Sequence, residues 1–465
     1  MRRDSSNNDL RNLIIGAEQK IPLSDGKYVT AINFDNAATT PVLNSVLKEI
    51  NNFAPWYSSV HRGGGYKSEV SSDIYEQGRA VVQSFVNSDK ERDIVIFTKN
   101  TTESINILSF VLSQQKFNQK VVLSTCMEHA ANDLPWRNKF KVDYVEIDKA
   151  GRLSIEDLEN KLKMYRGSVK LVSVTGASNV TGYLNPIHKI AALAHKYDAK
   201  ILVDGAQMVP HTSVDMKGLD PMENIDYLAF SAHKMYAPFG AGVLIGPKKD
   251  FKEGSPFVQG GGAISLVTHK RVEWDEPAGK DEAGTPNAMG VVALTTAIKT
   301  LQSVGMDNIY RTEKALYDYA ISGMKNIPGI KFYSDPFKED TISVIPFNLE
   351  GINHHLLPSI LSAEAGIAVR NGFFCTHPYC ERLLGLSEDD MNHYFEEDDW
   401  SLFPGMVRVS FGFYNNYKEI DKFLGILRII AEKKEYYINK YSNNLTSNQI
   451  KNEAALNTKI SNRGC

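Results

Sequence analysis

Between about residues 93 and 232 the chain alternates short, almost wholly apolar runs with longer amphipathic stretches. The runs are DIVIFT (93–98), VVLST (121–125), VKLVSVTG (169–176), AKILVDGA (199–206) and DYLAFSA (226–232). They are rich in Val, Ile and Leu and lack strict polar alternation, which predicts strands buried on both faces of a mainly parallel sheet. Between two of them lies NPIHKIAALAHKYD, where Pro186 suits a first helical turn and Ile187, Ile190, Ala191 and Ala194 fall on one face. Strand, helix, strand in that order is a βαβ unit, so the core is predicted to be α/β.

After about residue 299 the texture changes. A helical stretch, RTEKALYDYAISGMKNI, leads to isolated strand-like pieces, TISVIPFNL and GMVRVSFGF, and then to a helical KEIDKFLGILRIIAEKK. That order predicts a second, smaller α+β domain. The expected division is a large domain over 36–298, a small one from 299–440 with residues 1–35 packed alongside, and a polar, disordered tail over 441–465. No internal repeat is visible.

Composition narrows the function. A chain of 465 residues with 42% hydrophobic content can fill two cores. Acidic residues outnumber basic ones, 55 to 52, so no broad attraction to nucleic acid is expected. No apolar run is long enough for a membrane span, and the N-terminal stretch does not read as a secretory signal. Cys126, Cys375, Cys380 and Cys465 are too few and scattered for a disulfide framework, which points to a reducing, cytoplasmic setting.

The strongest chemical signal is FSAHKMYAPFGAG, where Lys234 directly follows a predicted buried strand. Lysines there project into the crevice where open α/β sheets bind ligands, and desolvation favours Schiff-base formation with an aldehyde. Taken alone, Lys234 reads more readily as an ordinary solvated lysine at a strand end. Asp204, in ILVDGAQ, ends another predicted strand at the same edge. A carboxylate there can keep a pyridine nitrogen protonated, as pyridoxal phosphate requires, although it can also cap a helix. Gln207 lies just beyond, within reach of a ring substituent. FTKNTTESINIL places Thr101 and Thr102 at a helix start, a cradle for phosphate or a plain N-cap, with Glu103 suiting the helix dipole.

Together the ordered segments DNAATTP (35–41), TKNTTE (98–103), MEHAANDLPW (127–136), SNVTG (178–182), LVDGAQMVPH (202–211), SAHKMYAPFGAG (231–242), AGTPN (283–287) and VRNGFFCTHP (369–378) carry a resemblance. From about residue 33 to about 430 the chain resembles class V aminotransferase-fold enzymes, and within them group II cysteine desulfurases and selenocysteine lyases. The resemblance implies a PLP-dependent transferase fold of type I, with pyridoxal phosphate as cofactor. It implies that Lys234 carries the cofactor as a Schiff base, Asp204 pairs with its ring nitrogen and His129 stacks on the ring. Asn179 and Gln207 would surround the ring hydroxyl, and Thr101, Thr102, Ser231 and His233 would hold the phosphate. Thr285 matches a residue that reaches the neighbouring subunit's phosphate, which implies a homodimer with shared sites. Arg408 matches the arginine that grips the substrate carboxylate, and His61, in SSVHRGGG, an active-site loop histidine.

The resemblance makes Cys375 the nucleophile that takes sulfur from L-cysteine, or selenium from L-selenocysteine, and leaves L-alanine, before a sulfur-acceptor partner. Two histidines commonly precede this cysteine in the group; Phe373 and Phe374 stand there instead, and apolar neighbours are expected to raise a thiol pKa. The stretch ERLLGLSEDDMNHYFEEDDWSLFPG is a longer insertion than the group carries, and its acidic runs, Glu388–Asp390 and Glu396–Asp399, read as a solvated surface or as a lid or docking surface. Another class V reaction, such as that of an aminotransferase, epimerase or other amino-acid lyase, is the alternative. A scaffold without catalysis is disfavoured, because it has no physical need for Lys234, Asp204, His129 and Arg408 together. Cys375, His377 and Cys380 lack a convincing fourth zinc ligand, His393 being the nearest candidate, so no metal is expected. Cys126 reads as a buried apolar residue, Cys465 as an exposed thiol, and Gly260–Gly262 as a flexible loop.

Overall fold

The computed structural model describes residues 10–115, 119–335, 340–396 and 403–442. The tail from 443 onward, with Cys465, lies outside the described residues, as do 397–402 of the acidic insertion and the side chain of His393.

The five apolar runs form strands close to their expected limits. A seven-stranded sheet is built from Asp93–Thr98 (β1), Val121–Thr125 (β2), Lys141–Val145 (β3), Val169–Thr175 (β4), Lys200–Asp204 (β5), Tyr227–Ser231 (β6) and Gly242–Pro247 (β7). Its order is β1-β7-β6-β5-β4-β2-β3. Pairings among β2 to β6 are parallel, and β7 runs antiparallel between β6 and β1. Every residue of β4, β6 and β7 is buried, which explains runs without polar alternation. Helices Thr101–Gln114 (α1), Ile187–Lys196 (α2) and Ala288–Val304 (α3) are among those that accompany this sheet. In α2 the buried positions are the predicted Ile187, Ile190, Ala191 and Ala194, while Pro186 stands one residue earlier than expected, at the N-cap.

A second apolar core lies in the C-terminal part of the chain. There Ile330–Phe332 (β8), Val344–Leu349 (β9), Arg370–Gly372 (β10) and Met406–Ser410 (β11) form an antiparallel sheet of order β8-β9-β11-β10. Helices Met306–Met324 (α4) and Tyr417–Glu432 (α5) bury Leu316 and Phe423 into this core, together with Ile32 and Phe34 from near the N-terminus. Fully burying a side chain such as Phe423 contributes about 1.5–3 kcal/mol. Ile32–Asn33 pairs in parallel with Ile367–Ala368, which ties the N-terminal segment to this region. Among the described residues no helix is long and apolar enough to cross a membrane.

Candidate active site

The parallel strands end at one edge of the large sheet, and their last residues open into a cavity of about 270 Å³. Thr175 ends β4, Asp204 ends β5 and pairs in register with Thr175, and Ser231 ends β6; all three line the cavity. Lys234 follows β6 in the turn Ala232–Lys234 and lines the same cavity as Asp204. The turn is fixed from outside the sheet: Thr40 N donates to His233 O (3.0 Å), and Tyr236 N donates to Thr40 Oγ1 (2.7 Å).

Burial, the largest influence, pushes the Lys234 amine down to about 8, with Asp204 opposing and Arg408 adding to the fall. Burial raises the Asp204 carboxyl, while the Ala206 N–H on Oδ1 (2.9 Å) and the charge of Lys234 act the other way. His129 is pushed down to about 4 by burial and then by the charges of Lys234 and Arg408, so it is neutral near pH 7. Its Nδ1 accepts from Ala131 N (3.0 Å), which places the ring proton on Nε2. His233 is also lowered to about 4 by burial.

At the start of α1 the capping task falls to Asn100, whose side chain accepts from Glu103 N (3.0 Å). Thr101 and Thr102 are therefore not the cap. Thr101 N and Oγ1 lie 2.8 and 2.6 Å from Ser231 Oγ, and Thr101, Thr102, Ser231 and His233 all line the cavity. Helix-start N–H groups and hydroxyls gathered in this way form an anion cradle. Gln207 Nε2 donates to Ala37 O (2.6 Å), but its Oε1 is buried without a partner in the structure. A buried acceptor left open at a cavity wall calls for a donor from a ligand.

Arg408 reaches the cavity from β11 and is only 2% exposed. It donates to Asn179 O (2.8 Å) and to Asp35 Oδ1 (3.0 Å), and its Nε is buried with no partner. Cys375 stands exposed in the loop after β10 and lines the same cavity. Its carbonyl accepts from Ala130 N (2.8 Å), next to His129, and Asn179 Nδ2 donates to Phe374 O (2.9 Å). The two phenylalanines do not simply wall in the thiol: Phe373 stacks on His377 (4.9 Å), while the Phe374 ring lies 4.8 Å from the Arg408 guanidinium carbon.

Eleven of the predicted site residues thus meet at one cavity: Thr101, Thr102, His129, Asn179, Asp204, Gln207, Ser231, His233, Lys234, Cys375 and Arg408. Two do not. His61 and Thr285 line a second cavity of about 420 Å³ with Gly261 and Gly262, and His61 Nε2 pairs with Glu76 Oε1 (2.8 Å). Cys380 is buried and donates to Phe373 O (3.3 Å); among the described residues no His, Cys, Asp or Glu cluster has the arrangement of a metal site.

Asp35, Arg370 and Glu128 were not singled out in the sequence, although each sits inside a quoted motif, and Phe374 was singled out only as a neighbour of the thiol. Asp35 holds Arg408, and Arg370 lines the cavity 3.9 Å from Asp35. Fully buried Glu128 accepts from Thr125 Oγ1 (2.6 Å), Thr175 N (2.9 Å) and Asn132 Nδ2 (2.6 Å), and burial pushes it up to about 8. A charged residue beside His129 within an apolar stretch was the available signal for Glu128.

A strand-end lysine, a buried carboxyl and an anion cradle on one α/β sheet edge define the architecture of a pyridoxal-phosphate enzyme. Comparison with known proteins gives the family. The aminotransferase class-V model matches residues 32–423, and the chain belongs to that family. A cysteine desulfurase of Haloferax volcanii is 34% identical over 415 residues, covering 88% of this chain and 91% of the relative. A probable cysteine desulfurase of Halobacterium salinarum is 35% identical over 398 residues, covering 84% and 89%. Among solved structures, the apo cysteine desulfurase of Thermococcus onnurineus superposes with TM-score 0.76 at 29% identity, over 86% of this chain and 95% of that one. An Escherichia coli cysteine desulfurase gives TM-score 0.75 at 25% identity, over 92% and 98%.

Proposed function

We propose that the protein is a pyridoxal-phosphate-dependent cysteine desulfurase that converts L-cysteine, or L-selenocysteine, to L-alanine. The observation that carries this reading is that Lys234, Arg408 and Cys375 line one cavity. The cysteine desulfurases among its relatives support it.

The cavity's residues fit pyridoxal phosphate. Thr101, Thr102, Ser231 and His233 would hold the phosphate, Asp204 the pyridine nitrogen, and the open Oε1 of Gln207, with Asn179, the groups beside the ring. Lys234 would carry the aldehyde carbon. When bound, the cofactor supplies an electron sink for a carbanion at the substrate's Cα. The chain's own groups do the rest. Arg408, at the cavity wall, would bind the substrate carboxylate through its guanidinium, a charge-assisted bond. Lys234, with its lowered pKa, takes the Cα proton. His129 stays neutral and offers its Nε2 proton inside the cavity. Cys375, deprotonated, attacks the substrate sulfur: the S–S bond forms as the Cβ–S bond breaks. Two protons complete alanine, the one given up by the Cys375 thiol reaching Cβ and the one held by Lys234 returning to Cα. One cysteine and one Cys375 thiol become one alanine and one persulfide, with no outside oxidant.

Two consequences can be measured here. Arg408→Ala is expected to raise KM for L-cysteine about 10–100-fold, the loss of a charge-assisted hydrogen bond. Steady-state kinetics check it, and an unchanged KM contradicts the role. The amine must be neutral to attack an aldehyde, so the rate of loading the cofactor-free protein should climb with pH until about 8 and level off above it. Stopped-flow absorbance at a series of pH values reads this directly; a flat profile between pH 6 and pH 9 contradicts the lowered amine.

The same reading divides the chain into a large domain over 36–298 and a small one from 1–35 and 299–440. It keeps His61 as an active-site loop histidine and Thr285 as the residue that reaches a second subunit of a homodimer in the cytoplasm, with a sulfur acceptor meeting the exposed Cys375. Product analysis tests the reading: alanine released from L-cysteine supports it, and its absence removes it.

A further inference from the structure

We propose that Phe374 is a positioning residue, which holds the Arg408 guanidinium for the substrate carboxylate and fixes Cys375 through the same turn. The proposal rests on the desulfurase reading for its use of Cys375. Phe374 is 8% exposed, and its ring lies 4.8 Å from the guanidinium carbon. Asn179 O and Asp35 hold the terminal nitrogens of Arg408 in the plane, and the ring supports a face. A buried cation against an aromatic face is held by the ring's quadrupole as well as by contact. Arg408 itself lines the cavity, and its Nε–H is buried with no partner.

The backbone of the same residue sets the nucleophile. Phe374 and Cys375 both adopt left-handed conformations, with φ of 52° and 58°. Non-glycine residues hold such angles only where their surroundings impose them. Here Asn179 Nδ2 donates to Phe374 O (2.9 Å), Thr376 Oγ1 donates to Asn179 Oδ1 (3.0 Å), and Ala130 N donates to Cys375 O (2.8 Å). Asn179 also offers its own carbonyl to Arg408 (2.8 Å), so carboxylate clamp and thiol hang on one short circuit. Phe373 provides a contrast, because its ring packs on His377 (4.9 Å) and Phe403 (5.4 Å).

The test is titration of the holoenzyme with L-alanine, followed by the cofactor's visible spectrum, in Phe374→Leu, Phe374→Tyr and Phe373→Leu proteins of verified Tm. Phe374→Leu keeps bulk but loses the aromatic face, and its Kd should rise about tenfold. Phe374→Tyr restores the face and should stay within about twofold of the parent. Phe373→Leu should lower Tm and leave the Kd alone. An unchanged Kd in Phe374→Leu overturns the proposal, and so does an equal weakening in Phe373→Leu. L-alanine contains no sulfur, so a parent enzyme that releases no alanine from L-cysteine sinks the desulfurase reading while this comparison still stands.

Discussion

Lys234→Ala is expected to lose the visible absorbance of lysine-bound cofactor and to cut turnover by at least about 10³-fold. The effect is large because one amine has two tasks, anchoring the cofactor and taking the Cα proton. The amine is suited to both: burial brings its pKa down to about 8, so a useful fraction is neutral near pH 7. Asp204 limits that fall without cancelling it. Spectra of the purified variant after addition of pyridoxal phosphate check the first task, and alanine production the second. A retained lysine-bound band in the variant means that another lysine carries the cofactor.

Cys375→Ser should release alanine from L-cysteine about 10²-fold more slowly, or slower still, while keeping the cofactor spectrum of the parent. A hydroxyl at this position is a far weaker nucleophile toward sulfur than a thiolate. The prediction separates cofactor chemistry from sulfur transfer, because Cys375 lies on the loop after β10, apart from the strand ends that carry Asp204 and Lys234. Equal alanine rates from both proteins would remove direct transfer to this residue, and zero-valent sulfur, free or as a persulfide on another thiol, would then be the product to seek.

The sheet was legible where burial on both faces leaves an unbroken apolar run, as in VKLVSVT and YLAFS. Two strands escaped. Lys141–Val145 is an edge strand with an exposed lysine and half-buried polar positions, so its sequence resembles a loop. Gly242–Pro247 is fully buried, but its flanking glycines and proline read as turn signals. At the site, Lys234 and Asp204 were legible because each follows an apolar run directly. Asp35 and Arg370 were not, since their meeting depends on β10 and β11 pairing across the small sheet. The phenylalanines before Cys375 were read as neighbours of the thiol, which is what adjacency suggests. The left-handed turn instead sends Phe374 toward Arg408 and leaves Cys375 exposed. Local sequence gives neighbours along the chain, and a turn decides neighbours in space.

The most direct test of the account is mass spectrometry of the Cys375 peptide after the holoenzyme has met a single equivalent of L-cysteine under anaerobic, reductant-free conditions. One additional sulfur atom on Cys375, matched by one equivalent of alanine, is the predicted result. Alanine formed with Cys375 unmodified, or the extra sulfur found on Cys126 or Cys380 instead, would contradict it.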